Sequence, residues 1–154
     1  MDIRPVTAAD VPHLKRVLDG TQLFPSEMLE EMLAPFLSGD GAALWLTCEE
    51  NGEAIALVYA APEELTDGAW NMLALGVLPE QQGQGIGTAL GRELEARLGE
   101  RGVRLLIVDM SGTSDFEGAR AFYRSQAYDE EARIRDFWAA GDDKVTFCKA
   151  LSSV

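Results

Sequence analysis

Residues 75–98 read LGVLPEQQGQGIGTALGRELEARL: an apolar strand end, a proline, a turn rich in glutamine and glycine, and the opening of a helix. Gly83, Gly85 and Gly87 alternate in this turn, so the backbone is free to take positive φ and its N–H groups stay open to close approach by a ligand. From Ile86 onward, apolar residues recur at helical spacing through Leu90, Leu94 and Leu98, with Arg92, Glu93, Glu95 and Arg97 on other faces. The helix therefore begins inside the turn. A helix start presents unpaired N–H donors and a partial positive charge, and both suit a phosphate. A plain strand-to-helix connector has use for one glycine at most.

Several nucleotide binders use glycine turns, and spacing separates them. The phosphate loop of nucleoside triphosphatases ends in Gly-Lys-Ser/Thr, whereas Gly87 is followed directly by Thr88. A dinucleotide fold needs G-x-G-x-x-G and an acidic residue about 20 positions on. Here the spacing is G-x-G-x-G, and Val103 stands near the place of that acid. What fits is Q-x-x-G-x-G from Gln82 to Gly87, preceded by Val77-x-Pro79. This pattern resembles motif A of the GNAT superfamily of acyl-CoA-dependent N-acyltransferases. The resemblance implies that Gln82, Gly83, Gln84, Gly85, Ile86, Gly87 and Thr88 hold the pyrophosphate of acetyl-CoA. It also implies that Leu75, Gly76 and Val77 end a splayed strand, whose main chain pairs with pantetheine and polarises the acetyl carbonyl. Gly76 would ease that splay.

The 154 residues fit one domain, here a GNAT domain over 1–154, with apolar content ample for a single core. The start MDIRPVTAADVP has no signal-peptide run and no basic amphipathic presequence, and nowhere do about 18 apolar residues run together, so a cytoplasmic protein without a membrane partner is expected. Net charge is −13 without a Lys/Arg cluster, a surface that repels nucleic acid and anionic lipid and is more comfortable with a cationic substrate. Coenzyme A is itself polyanionic, so such a protein must bind it locally, through backbone dipoles and a few arginines. Cys48 and Cys148 lack C-x-x-C or Cys/His spacing, which gives a metal site or disulfide framework little support and points to two reduced thiols.

Taken in order, residues 2–6 alternate as a strand, and Thr7 to Asp10 resembles a capping box opening a helix through Val11, Leu14, Val17 and Leu18, with Gly20 as its stop. His13, on this helix, has an exposed or packing role. Pro25 and Ser26 open a second helix to about residue 37, striped by Met28, Leu29, Met32, Leu33 and Phe36. Strands at 42–49 and 53–61 flank Asn51-Gly52, a hairpin signal, and a third at 69–77 extends the meander after the carboxylate-rich turn 62–68. Beyond the glycine turn and its helix come a buried strand at 103–110, a loop at 111–115, a helix through Ala119, Phe122, Tyr123 and Gln126, and a hairpin from strands near 131–138 and 144–151. The order β-α-α-β-β-β-α-β-α-β-β predicts an α/β (mixed α+β) fold, a central mixed sheet of six to seven strands flanked by about four helices. It is also the order of the GNAT fold.

Acyl transfer to an amine needs a bound thioester, a neutral amine, donors for the oxyanion and a proton source for the departing thiolate. The family's fourth helix carries Asn-x-x-Ala-x-x-Phe-Tyr with the tyrosine near the sulfur. Ala119, Phe122 and Tyr123 match, so the resemblance implies Tyr123 as general acid. Phe116 replaces the asparagine, and Ala127-Tyr128 replaces the usual Gly-Phe. Some members carry a glutamate six residues before the valine of V-x-P, and here that position is Asn71. An amide accepts no proton at neutral pH. Asn71 is then expected to orient a water, with the base in the adjoining loop at Glu63, Glu64 or Asp67, Glu64 being the named candidate, unless solvent itself takes the proton. Gln84 replaces a common Arg or Lys, which Arg120 or Arg124 would compensate. Phe24, Met28 and Met32 would line the acceptor pocket, and the carboxylates and aromatics of 129–144 lie near the acceptor side of the family.

The sequence reading is therefore an acetyl-CoA-dependent N-acetyltransferase that transfers directly to a primary amine, since no suitably placed cysteine suggests an acyl-enzyme. Its alternative is a catalytically silent acyl-CoA sensor of the same fold, and a third reading is a dimeric structural domain without ligand. The acceptor amine is not encoded in any motif, and monomer and homodimer both stay open.

Overall fold

In a computed structural model, which describes residues 1–151, seven strands and four α-helices follow one another in the predicted order. They are β1 (Asp2–Pro5), α1 (Val11–Thr21), α2 (Leu29–Ser38), β2 (Leu44–Glu50), β3 (Glu53–Pro62), β4 (Ala69–Val77), α3 (Ile86–Glu100), β5 (Leu105–Ser111), α4 (Glu117–Ser125), β6 (Asp129–Ala139) and β7 (Asp142–Ala150). The sheet runs β1-β2-β3-β4-β5-β7-β6, with β4 and β5 parallel and the β1–β2, β2–β3, β5–β7 and β6–β7 pairs antiparallel. This is the mixed α/β sheet that the element order predicts. Residues gather into two compact units, Met1–Pro62 with Leu73–Arg97 and Glu63–Met72 with Leu98–Val154, the second described as far as Leu151.

In the first unit the apolar stripes of α1 (Leu14, Val17, Leu18) and α2 (Leu29, Leu33) bury against Trp45, Leu57, Ala74 and Leu78. Each aliphatic side chain so buried contributes about 1.5–3 kcal/mol. Trp45 also stacks on Tyr59, ring centres 4.1 Å apart. The entry to α1 is held by charge. Asp10, buried, accepts two bonds from the Arg4 guanidinium at 2.8 Å each and a third from the Thr7 amide at 2.8 Å, while Arg4 also reaches Glu49 at 2.7 Å.

Gly20 is not the stop of α1. The helix continues to Thr21 and closes at Gln22, left-handed at φ 57°, whose N–H bonds Leu18 O at 2.7 Å. Gly20 serves contact instead: a Cβ there would lie 2.8 Å from Pro79 Cδ. His13 is half-buried on α1, its Nε2 3.9 Å from Glu53.

In the second unit β4 opens with a short parallel ladder to β5, pairing Ala69 with Leu105, Trp70 with Leu106 and Asn71 with Ile107. β5 is paired with β7 along its whole length. The strand starts at Leu105, later than the predicted 103, because Val103 N bonds Leu98 O to finish α3 and Arg104 spends its own N–H on Gly68 O and its Nε on Asp67 O. Residues of β6 are exposed throughout, Phe137 and Trp138 among them, and Lys144 Nζ sits 4.3 Å from the Phe137 ring centre. Cys48 and Cys148 are free thiols. No helix among the described residues is long and apolar enough to cross a membrane.

Arg4 holds the Asp10 carboxyl below its ordinary value of 3.8, its hydrogen bonds outweighing the cost of burial. The folded value lies below the unfolded one, so this stabilisation is complete above about pH 4 and is lost as pH falls through the folded value. Replacing Asp10 with Asn should cost roughly 1–3 kcal/mol at neutral pH and flatten the acid limb of the stability curve, as read by urea unfolding at a series of pH values.

Candidate active site

The glycine turn has two left-handed residues, Gly83 at φ 81° and Gly85 at φ 83°. Gly87 is not left-handed; it lies in the first turn of α3, which starts at Ile86 and whose Ala89 N–H bonds Gly85 O at 3.0 Å. A Cβ on Gly83 or Gly85 would meet no protein atom within 4 Å, so the space over this backbone is open. An α-helix begins with amides that its own carbonyls do not take up. Gln82 works inward: its Nε2 donates to Val77 O at 3.0 Å and ties the turn to the end of β4. Gln84 is exposed, Thr88 half-buried, and Ile86 anchors the helix start in the core.

At the end of β4, Leu75 and Val77 are half-buried and Gly76 is buried. A Cβ on Gly76 would fall 2.6 Å from Leu23 Cδ1, so this glycine admits the chain that follows α1. That chain borders a cavity of about 460 Å³ lined by Leu18, Asp19, Gln22, Leu23, Phe24, Pro25, Ser26 and Glu27. Phe24 is on this lining. Met28 and Met32 are not on its lining; Met28 is exposed and Met32 packs on the α1–α2 core.

In the second unit, Asn71 is 9 % exposed and its Nδ2 stands between two carboxylates, donating to Glu63 Oε1 at 2.9 Å and to Asp109 Oδ2 at 3.3 Å. Glu63, not Glu64, is the loop carboxylate brought to Asn71. Glu64 is exposed at the tip of the turn, because the turn is closed by Glu63 N–H on Ala69 O and Thr66 Oγ1 on Glu63 O, which leaves its middle residues outside. Asp67 engages Arg104 through its backbone carbonyl. Asp109 and its partners Thr146, at 2.6 Å, and Lys144, at 4.0 Å, did not figure among the sequence candidates. Their signal is present all the same: Asp109 is the one charged residue in the apolar run LLIVDM.

Tyr123, on α4, is 8 % exposed and packs edge-on to Tyr128, with Phe147 6.4 Å away between ring centres. Burial pushes its hydroxyl well above the ordinary tyrosine range, so it stays protonated, and it donates to Met72 Sδ at 3.8 Å. A thioether is a weak acceptor. This proton is cheaply redirected.

The sequence model described as the acetyltransferase (GNAT) family matches residues 14–128. The chain belongs to the GNAT acetyltransferase family. Solved structures share its fold end to end. A GNAT-family protein from Desulfovibrio desulfuricans superposes with a TM-score of 0.89 at 23% identity, covering 98% of this chain and 99% of that one. The ribosomal-protein-S18-alanine N-acetyltransferase from Escherichia coli gives 0.79 at 21% identity, over 99% and 95%. An aminoglycoside 6'-N-acetyltransferase complexed with coenzyme A gives 0.80 at 17% identity, over 100% and 99%. No curated protein matches the sequence.

As a GNAT protein the chain is unusual in its cations. Arg120 donates to Ser111 O and Thr113 O at 3.0 and 2.9 Å and so fixes the loop before α4. Arg124 pairs with Glu130 at 2.8 Å and lies over the Phe147 ring. Both arginines suggested as replacements for a cation at Gln84 are thus occupied within their own unit. Phe116, in the asparagine's place, is exposed beside the N-terminus of α4.

Alanine at Gly83 or Gly85 meets no clash and pays only for left-handed φ, so each variant should lose about 1–2 kcal/mol in urea unfolding and keep its fold.

Proposed function

We propose that this GNAT protein transfers the acetyl group of acetyl-CoA directly to a primary amine. The observation that carries the reading is the Gly83–Gly85 turn: two left-handed glycines with open space above them, running into the amide-rich start of a fifteen-residue helix. Such a surface neutralises a pyrophosphate without cationic side chains. A protein of net charge −13 with Gln84 at the usual cation position needs that kind of local site.

Acetyl-CoA would supply the activated thioester, and the chain's own groups supply the rest. Backbone groups of Leu75, Gly76 and Val77, at the end of β4, are offered for the pantetheine arm and the acetyl carbonyl. Tyr123 is the proton donor to the departing thiolate, which its protonated hydroxyl and weak thioether acceptor support. Carboxylates of Asp19 and Glu27 at the cavity favour an acceptor carrying positive charge beyond the reacting amine.

Calorimetry with acetyl-CoA, with ATP and NAD as controls, tests the coenzyme. Micromolar binding to the parent and none to Gly85→Glu is the expected result; no binding to the parent removes the enzyme assignment. An amine screen with an N-terminal-alanine peptide, kanamycin and spermidine then tests turnover. Binding with no turnover of any amine would make the protein an acyl-CoA sensor. Tyr123→Phe should lower kcat about 10²–10⁴-fold with acetyl-CoA affinity retained, and an unchanged kcat would take Tyr123 out of the mechanism.

A further inference from the structure

We propose that Glu63 is the general base and Asn71 the residue that positions it, an inference that rests on the acetyl-transfer reading above. The argument begins with hydrogen-bond capacity. A side-chain amide has two N–H bonds on nitrogen and only lone pairs on oxygen. Asn71 Nδ2 spends both hydrogens, one on Glu63 Oε1 at 2.9 Å and one on Asp109 Oδ2 at 3.3 Å. The opposite orientation would set an amide oxygen against two carboxylates, so the assignment is settled by charge. Asn71 therefore has no donor left with which to orient a water, and its remaining oxygen takes no proton at neutral pH. Beside Asn71, the groups able to take a proton are the two carboxylates it holds.

Of the two, Asp109 is the anchored one. Its Oδ1 accepts from Thr146 Oγ1 at 2.6 Å, its Oδ2 accepts from Asn71, and Lys144 Nζ lies 4.0 Å from the same oxygen. Both Asp109 oxygens are thus already engaged by neighbouring side chains. Glu63 receives a single side-chain bond, from Asn71, and among the described residues Oε2 takes no other. Its backbone is nonetheless fixed, by its own N–H on Ala69 O at 2.9 Å and by Thr66 Oγ1 on its carbonyl at 2.9 Å. A fixed carboxylate with an open oxygen is what a base requires. Met72, next to Asn71 on β4, carries the sulfur that accepts from the Tyr123 hydroxyl, so base and acid candidates belong to the same unit. Asn71 touches Glu63 directly, and behind Asn71 stand Asp109 and its partners Lys144 and Thr146, with Glu64 and Asp67 beside Glu63 in the turn.

In the step, the Glu63 carboxylate takes one N–H proton from the acceptor's ammonium. The freed lone pair attacks the thioester carbonyl and forms the C–N bond; as the tetrahedral adduct collapses the C–S bond breaks, the thiolate takes the Tyr123 hydroxyl proton, and the nitrogen releases its second proton to solvent to leave the neutral amide. Glu63 then gives its proton to water, and Tyr123 is reprotonated from solvent.

The test uses the full chain and whichever of the N-terminal-alanine peptide, kanamycin or spermidine the parent acetylates. Glu63→Gln should lower kcat at neutral pH about 10²–10³-fold, and the loss should shrink as pH rises, because neutral amine then becomes available without a base. Acetyl-CoA affinity by calorimetry and the thermal midpoint should match the parent, and Glu64→Gln and Asp67→Asn should keep the parental pH profile. Asn71→Ala should show the same pH-dependent rescue at smaller amplitude. A Glu63→Gln variant with parental kcat at every pH, or with a loss that pH does not relieve, overturns the assignment. So does a pH-rescued loss in Asp109→Asn with none in Glu63→Gln. A parent that binds acetyl-CoA and acetylates none of the three amines overturns the enzyme reading itself, and this inference with it.

Discussion

Gly83 and Gly85 hold φ at 81° and 83°, where a side chain with Cβ is strained, and this conformation determines how β4 can pass into α3. It lets the chain turn sharply enough to start a helix at Ile86 while the space over the two glycines stays open. The turn is held from below rather than from within. Gln82 bonds back to Val77 O, and Pro79 meets α1 where Gly20 has no side chain. Three residues of the turn and the distant Gly20 thus serve one end: a rigid base under an anion-binding backbone.

The same economy appears at the start of the chain. Arg4, Asp10 and Glu49 form a charged cluster that fixes the entry to α1, with Asp10 accepting bonds from both a guanidinium and a backbone amide. A buried carboxylate so fully satisfied is stable only in this geometry. Since α1 carries Gly20 and two residues of the cavity lining, Leu18 and Asp19, the position of that helix matters to the site as well as to the core.

In the second unit a polar cluster centred on Asn71 matters most. Trp70 pairs with Leu106 as apolar neighbours, and around Asn71 polar groups take over: Asp109 on β5, Thr146 and Lys144 on β7. A buried amide among half-buried charges needs them as partners. The amide at Asn71 satisfies two carboxylates at once, which a glutamate there could not do without adding a third negative charge.

Local sequence determined the element order, the left-handed turn and the mixed sheet, because glycine spacing, apolar period and hairpin signals act over a few residues. Family membership was legible for the same reason, since the Gln82 to Gly87 motif is contiguous. Boundaries were less so: Gly20 reads as a stop, yet contact with Pro79 explains it, and strand β5 starts late because Arg104 bonds the 67–68 turn. Among the loop acids, Glu63 and Glu64 are equivalent as letters. Only the tertiary structure separated them, because which carboxylate faces Asn71 depends on the closure of the turn by Thr66 and Ala69, and Asp109 joins them through a strand pairing that spans 38 residues of chain.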